Sequence, residues 1–373
     1  MPKPTLNWLL IFIPVAGYSE FVAHIHTLTF IASCLAIIPI AGWMGEATEN
    51  LAEHTGEGVG GLLNATFGNA AELIIALVAL SAGQHEIVKA SITGSIIGNI
   101  LLVLGAACFA GGLRHRILRF SGTAVRSYAS MLFLAAVALV LPAVFHHLGG
   151  PEIQTRERDL SLEISVVLII TYALSLWFSL KTHKHLFVGE AAESAQVTDV
   201  EADGHHQPWS IRKAVGVLVA ATVLIAVIAE WMVGSVTHAA ASLGMSNVFV
   251  GIIVVAIVGN AAEHSTAILV AMKNRMDLAM GVAIGSSIQI ALFVAPVLVF
   301  VSYFVGPHPL DLVFSPMEVI AVVLAVLVVE QVTADGETHW LEGIQLLSVY
   351  AILALVFYQL PSTGAPALPV PAH

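Results

Sequence analysis

The sequence predicts an all-α membrane protein of about 11 transmembrane helices, one leading helix followed by two inverted five-helix repeats. Three observations lead there. Hydrophobic residues make up 58% of the chain against 10% charged, and the mean hydropathy is +0.90. Apolar stretches of spanning length recur from end to end. One five-residue motif occurs twice without a change.

Composition excludes several classes. A soluble domain carries about 25% charged residues, so this chain lacks the polar surface to cover a water-facing globule and presents surface to lipid instead. The net charge of −11 comes from 14 Lys and Arg against 25 Asp and Glu, and no basic run offers a nucleic-acid patch. Cys34 and Cys108 lie in apolar stretches and suggest neither a disulfide framework nor a metal site. His85-Glu86-x-x-Lys89 falls short of a zinc-protease motif, and no Gly-x-Ser-x-Gly or phosphate loop is present. The chain does not read as an enzyme, and nothing in it calls for a cofactor.

A helix needs about 20 apolar residues to span a bilayer. The first candidate, Leu6–Val22, follows Lys3 and is short enough to suit a secretory signal peptide. Tyr18, Ser19, Glu20 and Phe21 supply no clean cleavage site, which favours a leading membrane helix over residues 1–27. Leu28–Gly45, Gly58–Ala82, Ile87–Gly111, Ser121–His146 and Leu160–Leu180 form a first repeat, residues 28–181. Ile211–Val233, Asn247–Met272, Leu278–Val305, Phe314–Val332 and Trp340–Leu360 form the second, residues 211–360. The Pro-rich tail, residues 361–373, reads as disordered.

Basic residues set the orientation. With the N-terminus cytoplasmic, that side receives Lys3, Arg114, Arg116, Arg119, Arg126, Lys181, Lys184, Arg212, Lys213, Lys273 and Arg275. Only Lys89, Arg156 and Arg158 fall opposite. The linker, residues 182–210, is acidic through Glu190, Glu193, Asp199, Glu201 and Asp203, and holds His183, His185, His205 and His206. It is either a solvated tether between halves or a segment that attracts cations.

Gly68-Asn69-Ala70-Ala71-Glu72 recurs as Gly259-Asn260-Ala261-Ala262-Glu263, and Gly94-Ser95 recurs at the same offset as Gly285-Ser286. Both glutamates precede their serine by 23 residues (95 − 72 and 286 − 263). Two matches at one offset define a duplicated unit. Glu72 lies in the third expected span and Glu263 in the eighth, so the unit is five spans long and its second copy inserts upside down. Inverted repeats bring two half-sites together near the bilayer midplane.

A glutamate deep in a span costs about 2.5 kcal/mol or more, and stays only with a partner or water. Gly and Asn before each glutamate weaken the helix, which would turn backbone carbonyls of Gly68–Ala70 and Gly259–Ala261 toward an ion. On the following helices Ser95 shares a face with Asn99, and Ser286 with Gln289. The assembled donors, Gly68, Asn69, Glu72, Ser95, Asn99, Gly259, Asn260, Glu263, Ser286 and Gln289, are all oxygen donors. They suit a hard cation such as calcium, which takes six to eight oxygens, and they do not exclude manganese, cadmium or sodium. The Ser, Asn and Gln side chains also suit interhelical hydrogen bonding, and Gly94-x-x-x-Gly98 and Gly281-x-x-x-Gly285 suit close helix packing. Paired carboxylates have no such structural use. His264 breaks the repeat, since Leu73 holds the matching place, and is a candidate for tuning the site.

These segments resemble the calcium/cation–proton exchanger (CAX) family of the cation/calcium exchanger superfamily. The resemblance is carried by residues 60–72 and 259–264, with Gly94-Ser95-Ile96-Ile97-Gly98-Asn99 and Gly285-Ser286-Ser287-Ile288-Gln289, and runs from the second expected span to the last. It implies calcium export against proton entry by alternating access, with Glu72 and Glu263 taking calcium or protons in turn. It also implies a cation entrance in which Glu49 and Glu230 are candidates, interfacial charge being the plain alternative. The acidic linker is similar to one that relatives carry between halves, while the long N-terminal regulatory extension of some relatives is missing. Partners are then calcium, protons and the bilayer, with homo-oligomerisation left open. The short termini suggest a prokaryotic plasma membrane, with a vacuolar membrane as the alternative. Sodium as counter-ion is the nearest rival, disfavoured by the lack of a third carboxylate near the pair; a channel suits carboxylates in both halves less well.

Overall fold

The computed structural model describes residues 6–55, 57–149, 153–183 and 209–360. Most of the expected linker, Lys3 and the tail lie outside these. The described residues form twelve helices and one short ribbon. In chain order they are α1 Leu6–Ala23, α2 His26–Thr55, α3 Glu57–Phe67, α4 Ala70–Ser81, α5 His85–Arg114 and α6 Gly122–Leu148. Then come α7 Ile153–Trp177 with a π turn Phe178–Thr182, α8 Ile211–Ser242, α9 Asn247–Met272, α10 Met276–Val301, α11 Pro316–Val332 and α12 Trp340–Gln359. Nine helices among the described residues are long and apolar enough to cross a membrane. The other two expected spans are the α3–α4 pair, broken in its middle, and the shorter α11.

Local chemistry starts these helices. Serine hydroxyls at Ser121, Ser210 and Ser246 accept from backbone N–H groups of α6, α8 and α9, and Ser315 forms a reciprocal capping box with Glu318 on α11. The duplication is visible in the turns. Gly83 closes α4 into α5 at φ 73°, and Asn274, 191 residues on (274 − 83), closes α9 into α10 at φ 61°. Both residue types tolerate the left-handed region.

The halves are inverted. Thr27, at the start of α2, hydrogen bonds Ser242 at the end of α8 at 2.7 Å. At the other end the Trp209 N–H, just before α8, donates to Asn50 Oδ1 at 2.9 Å. The corresponding first helices of the two repeats therefore run antiparallel along each other. A ribbon pairs Leu118–Arg119 (β1) with Glu337–Thr338 (β2) on the side carrying most basic residues, and is the one strand pair among the described residues. Arginine and lysine patterns alone carry no signal for it.

Small residues set the interior, as they do where lipid removes the hydrophobic drive between helices. A Cβ on Gly94 would sit 2.1 Å from the Ile252 carbonyl oxygen, and one on Gly251 2.5 Å from Ala90 Cβ, so α5 and α9 touch backbone to backbone. Gly105 and Gly343 do the same for α5 and α12. The outer faces of α6, α7, α8 and α12 expose Phe133, Leu174, Val219 and Leu355. The repeat-related Gly285 has nothing within 4 Å of its missing Cβ. Gly94→Ala is thus expected to cost about 1–3 kcal/mol by overpacking and to lower the thermal unfolding midpoint of purified protein, while Gly285→Ala leaves it unchanged. Equal midpoints for both variants would contradict this account of the α5–α9 crossing.

Candidate functional site

α4 begins in the interior, directly after the chain breaks at Gly68 and Asn69, and Glu72 stands in its first turn. Glu263 stands inside α9, which is continuous through Gly259–Ala261. The expected second break is therefore corrected. The identical motif stays helical there because a Val- and Ile-rich run precedes it, where α3 is glycine-rich. Asn260 also donates to the Ala256 carbonyl of its own helix at 2.9 Å, whereas Asn69 turns away to Gln289.

Each carboxylate lies on the glycine of the other copy. A Cβ at Gly259 would meet Glu72 Cγ at 3.2 Å and Oε1 at 3.4 Å; a Cβ at Gly68 would lie 3.5 Å from Glu263 Oε1 and 3.7 Å from Gln289 Oε1. Glycine serves here by leaving room for the partner's carboxylate. The sequence alone suggests that these glycines lend backbone oxygens.

A hydrogen-bond network joins the halves around the pair. Ser286 Oγ donates to Glu263 Oε2 at 2.5 Å, and Asn69 Nδ2 to Gln289 Oε1 at 2.5 Å. Asn260 Nδ2 donates to Ser95 Oγ at 3.1 Å, and Asn260 Oδ1 accepts from Asn99 Nδ2 at 3.4 Å. His264 Nε2 lies 3.3 Å from Asn99 Oδ1, so the residue beside Glu263 reaches the network across the α5–α9 crossing. Asn69, Ser95, Asn99, Asn260 and Ser286 are all buried. Two acceptors in the network, Glu72 Oε2 and Asn69 Oδ1, are buried without a hydrogen-bond partner. An unsatisfied buried acceptor costs about 1–3 kcal/mol, and a proton or a hard cation would relieve both. A cavity of about 10 Å³ beside Glu72, lined also by Ser95 and Gly259, is of single-water size.

Glu49 and Glu230 do not join this group. Glu49 is exposed near the end of α2 between Glu46 and Glu53. Glu230 is exposed as well, and with Ser81 it lines a separate groove of about 570 Å³ between α4 and α8. The sequence places it at a span end near Val233, but α8 runs on to Ser242, packed along α2 and tied there to Thr27. Sequence reading missed the π turns at Gly98–Val103 and Ile290–Val294, which directly follow the positions of Ile97 and Gln289 in the two copies. Such turns collect at functional sites. Gly98 is the one local signal for them, and nothing comparable marks Ile290.

Residues 25–181 and 213–359 each match the sodium/calcium exchanger protein family. The chain belongs to that family. Within it, a Ca(2+)/H(+) antiporter of Synechocystis sp. is 46% identical over 361 residues, covering 95% of this chain and 97% of that one. The Ca(2+)/H(+) antiporter ChaA of Bacillus subtilis is 42% identical over 349 residues, covering 93% and 97%. Among solved structures, native YfkE superposes with a TM-score of 0.80 at 39% identity, covering 95% of this chain and 100% of that one. The fold is thus that of the family's membrane exchangers.

Asn260 is the bridge on which Ser95 and Asn99 both depend. Asn260→Leu removes both cross-half bonds and leaves their partners buried, at about 1–3 kcal/mol for each orphaned group. The thermal midpoint of the purified protein should fall clearly; an unaltered midpoint would show that the network contributes nothing.

Proposed function

We propose that the chain is a secondary antiporter that exchanges calcium for protons across a membrane by alternating access. Glu72 and Glu263 carry both ions in turn. The observation that supports this most is the reciprocal seating of two carboxylates on each other's glycines, one oxygen of them unpartnered, in a family whose similar members are named Ca(2+)/H(+) antiporters.

The chemistry follows from charge. Two carboxylates in a site of low dielectric cannot both stay ionised without a counter-charge. Two protons or one divalent cation restores neutrality, and the cation expels the protons because it needs ionised ligands. Ser286 holds Glu263, and the Asn260 bridge with Ser95 and Asn99 offers further oxygens of the kind calcium takes. If two protons move per calcium, one pH unit supplies roughly 2.7 kcal/mol, from 1.36 kcal/mol each, which sustains about a hundredfold calcium gradient. Orientation follows the positive-inside rule: the ends bearing Arg126, Lys181 and Lys273 are cytoplasmic, in a prokaryotic plasma membrane. Glu49 at the cytoplasmic end of α2 and Glu230 beside the α4–α8 groove then stand as collectors of cations on opposite sides.

Protein reconstituted in liposomes and given an acid interior should take up radioactive calcium, and a protonophore should abolish the uptake. Glu72→Gln and Glu263→Gln should each remove it with the fold retained; transport by both variants would sink the mechanism, and uptake driven by sodium in place of protons would replace the counter-ion. Because protons and calcium compete for the same oxygens, calcium affinity should weaken as pH falls. An affinity independent of pH in equilibrium binding would contradict shared ligands.

A further inference from the structure

A second, larger cavity opens on the other side of the site. It holds about 700 Å³ between α6, α7 and α10, and runs from Ser127 and Ser179, at the ends carrying Arg126 and Lys181, inward to Gln289. Its lining is mainly apolar, with Met131, Leu174, Leu176, Phe178 and Ile288, and a row of hydroxyls from Ser127, Ser130, Thr171, Ser175 and Ser179 runs through it; no charged residue lines it. Gly281 and Gly285 leave its α10 wall open. Its floor, Gln289, shares the Gly68 seat with Glu263 Oε1, and Ser286, one turn back on α10, donates to the other oxygen of Glu263. The cavity thus ends at Gln289, which neighbours Glu263 at the Gly68 seat, while Glu72 lines the single-water pocket.

We infer that this cavity is a proton route between Glu263 and the cytoplasm, separate from the path taken by calcium. The inference rests on the antiport reading above. A divalent cation is drawn by carboxylates, and this lining of hydroxyls and apolar side chains offers none. Arg126 and Lys181, next in sequence to the lining residues Ser127 and Leu180, set a positive rim that repels it further. Protons have neither difficulty, because a single file of water hydrogen-bonded to the row of hydroxyls is enough to carry them, and the cavity has room for one. Calcium has a better approach at the exposed Glu46, Glu49 and Glu53 on the cytoplasmic end of α2. In the step itself the Glu263 O–H bond breaks, the proton passes to water beside Gln289, and it hops outward to the cytoplasm. The electron pair stays on the carboxylate, whose charge the incoming cation takes up.

Filling the cavity separates the two ions' paths. Exchange of calcium for calcium across the membrane needs no proton to leave the site, whereas exchange against protons does. In liposomes, Ser175→Phe and Gly281→Leu should slow proton-driven calcium uptake by about a hundredfold, the lower end of what a positioned proton-transfer route contributes. Calcium self-exchange at equal pH should keep its rate. Equal loss of both modes in monodisperse protein, or loss of neither, would overturn the inference. A Ser179→Cys variant gives a readout that does not depend on tolerance of bulk: a membrane-impermeant thiol reagent on the cytoplasmic side should label it, and failure to label would show a dry cavity and end the proposal. Absence of proton-driven uptake in the unsubstituted protein is a different failure, that of antiport itself.

Discussion

Two carboxyl groups placed together away from water are the constraint on which the rest of this molecule depends. Among the described residues neither Glu72 nor Glu263 has a basic hydrogen-bond partner; their neighbours are amides, hydroxyls and each other's motif. A fixed lysine or arginine would have stabilised the pair permanently and left nothing for a mobile ion to do. Leaving the balance to ions from solution is what the proposed exchange requires, since one ion can then replace another on the same oxygens.

The scaffold meets this constraint with duplication. Because the second copy is inverted, the two glutamates approach from opposite directions, and each finds a glycine where a larger residue would block it. Backbone contact at Gly94 and Gly251 brings α5 and α9 near enough for Ser95, Asn99 and Asn260 to hydrogen bond across the interface. Close packing and polar recognition therefore use the same glycine-rich crossings. The polar atoms of one half are satisfied mainly by the other, so neither half would hold the geometry alone.

Much of this was legible in the residues, because duplication writes itself as an exact repeat and lipid exposure writes itself as hydrophobicity. The spans follow from the apolar stretches, and their inversion and the convergence of Glu72, Ser95, Asn99, Asn260, Glu263, Ser286 and Gln289 from the spacing of a few motifs. What spacing could not show is how identical motifs behave in different surroundings. Gly-Asn breaks the helix after the glycine-rich α3 and leaves it whole after the valine run that leads into Gly259. The path of His264 toward Asn99 depended on a crossing angle, and the extent of α8 past Gly234 on packing against α2. The hydroxyl cavity is assembled from three helices distant in sequence, with no local pattern to announce it.

The antiparallel pair α2–α8 is fastened at both tips, by Thr27 with Ser242 and by Asn50 with the Trp209 amide. Ties at both ends resist scissoring and favour a tilt of the two helices as one body. At 1.5 Å per residue a helix of this length is a lever of roughly 45 Å, so a tilt of about 10° carries each tip some 4 Å in opposite directions while the fulcrum stays nearly still. In the proposed exchange, such a tilt would widen one face of the membrane as it narrows the other, without any signal having to cross the ion site.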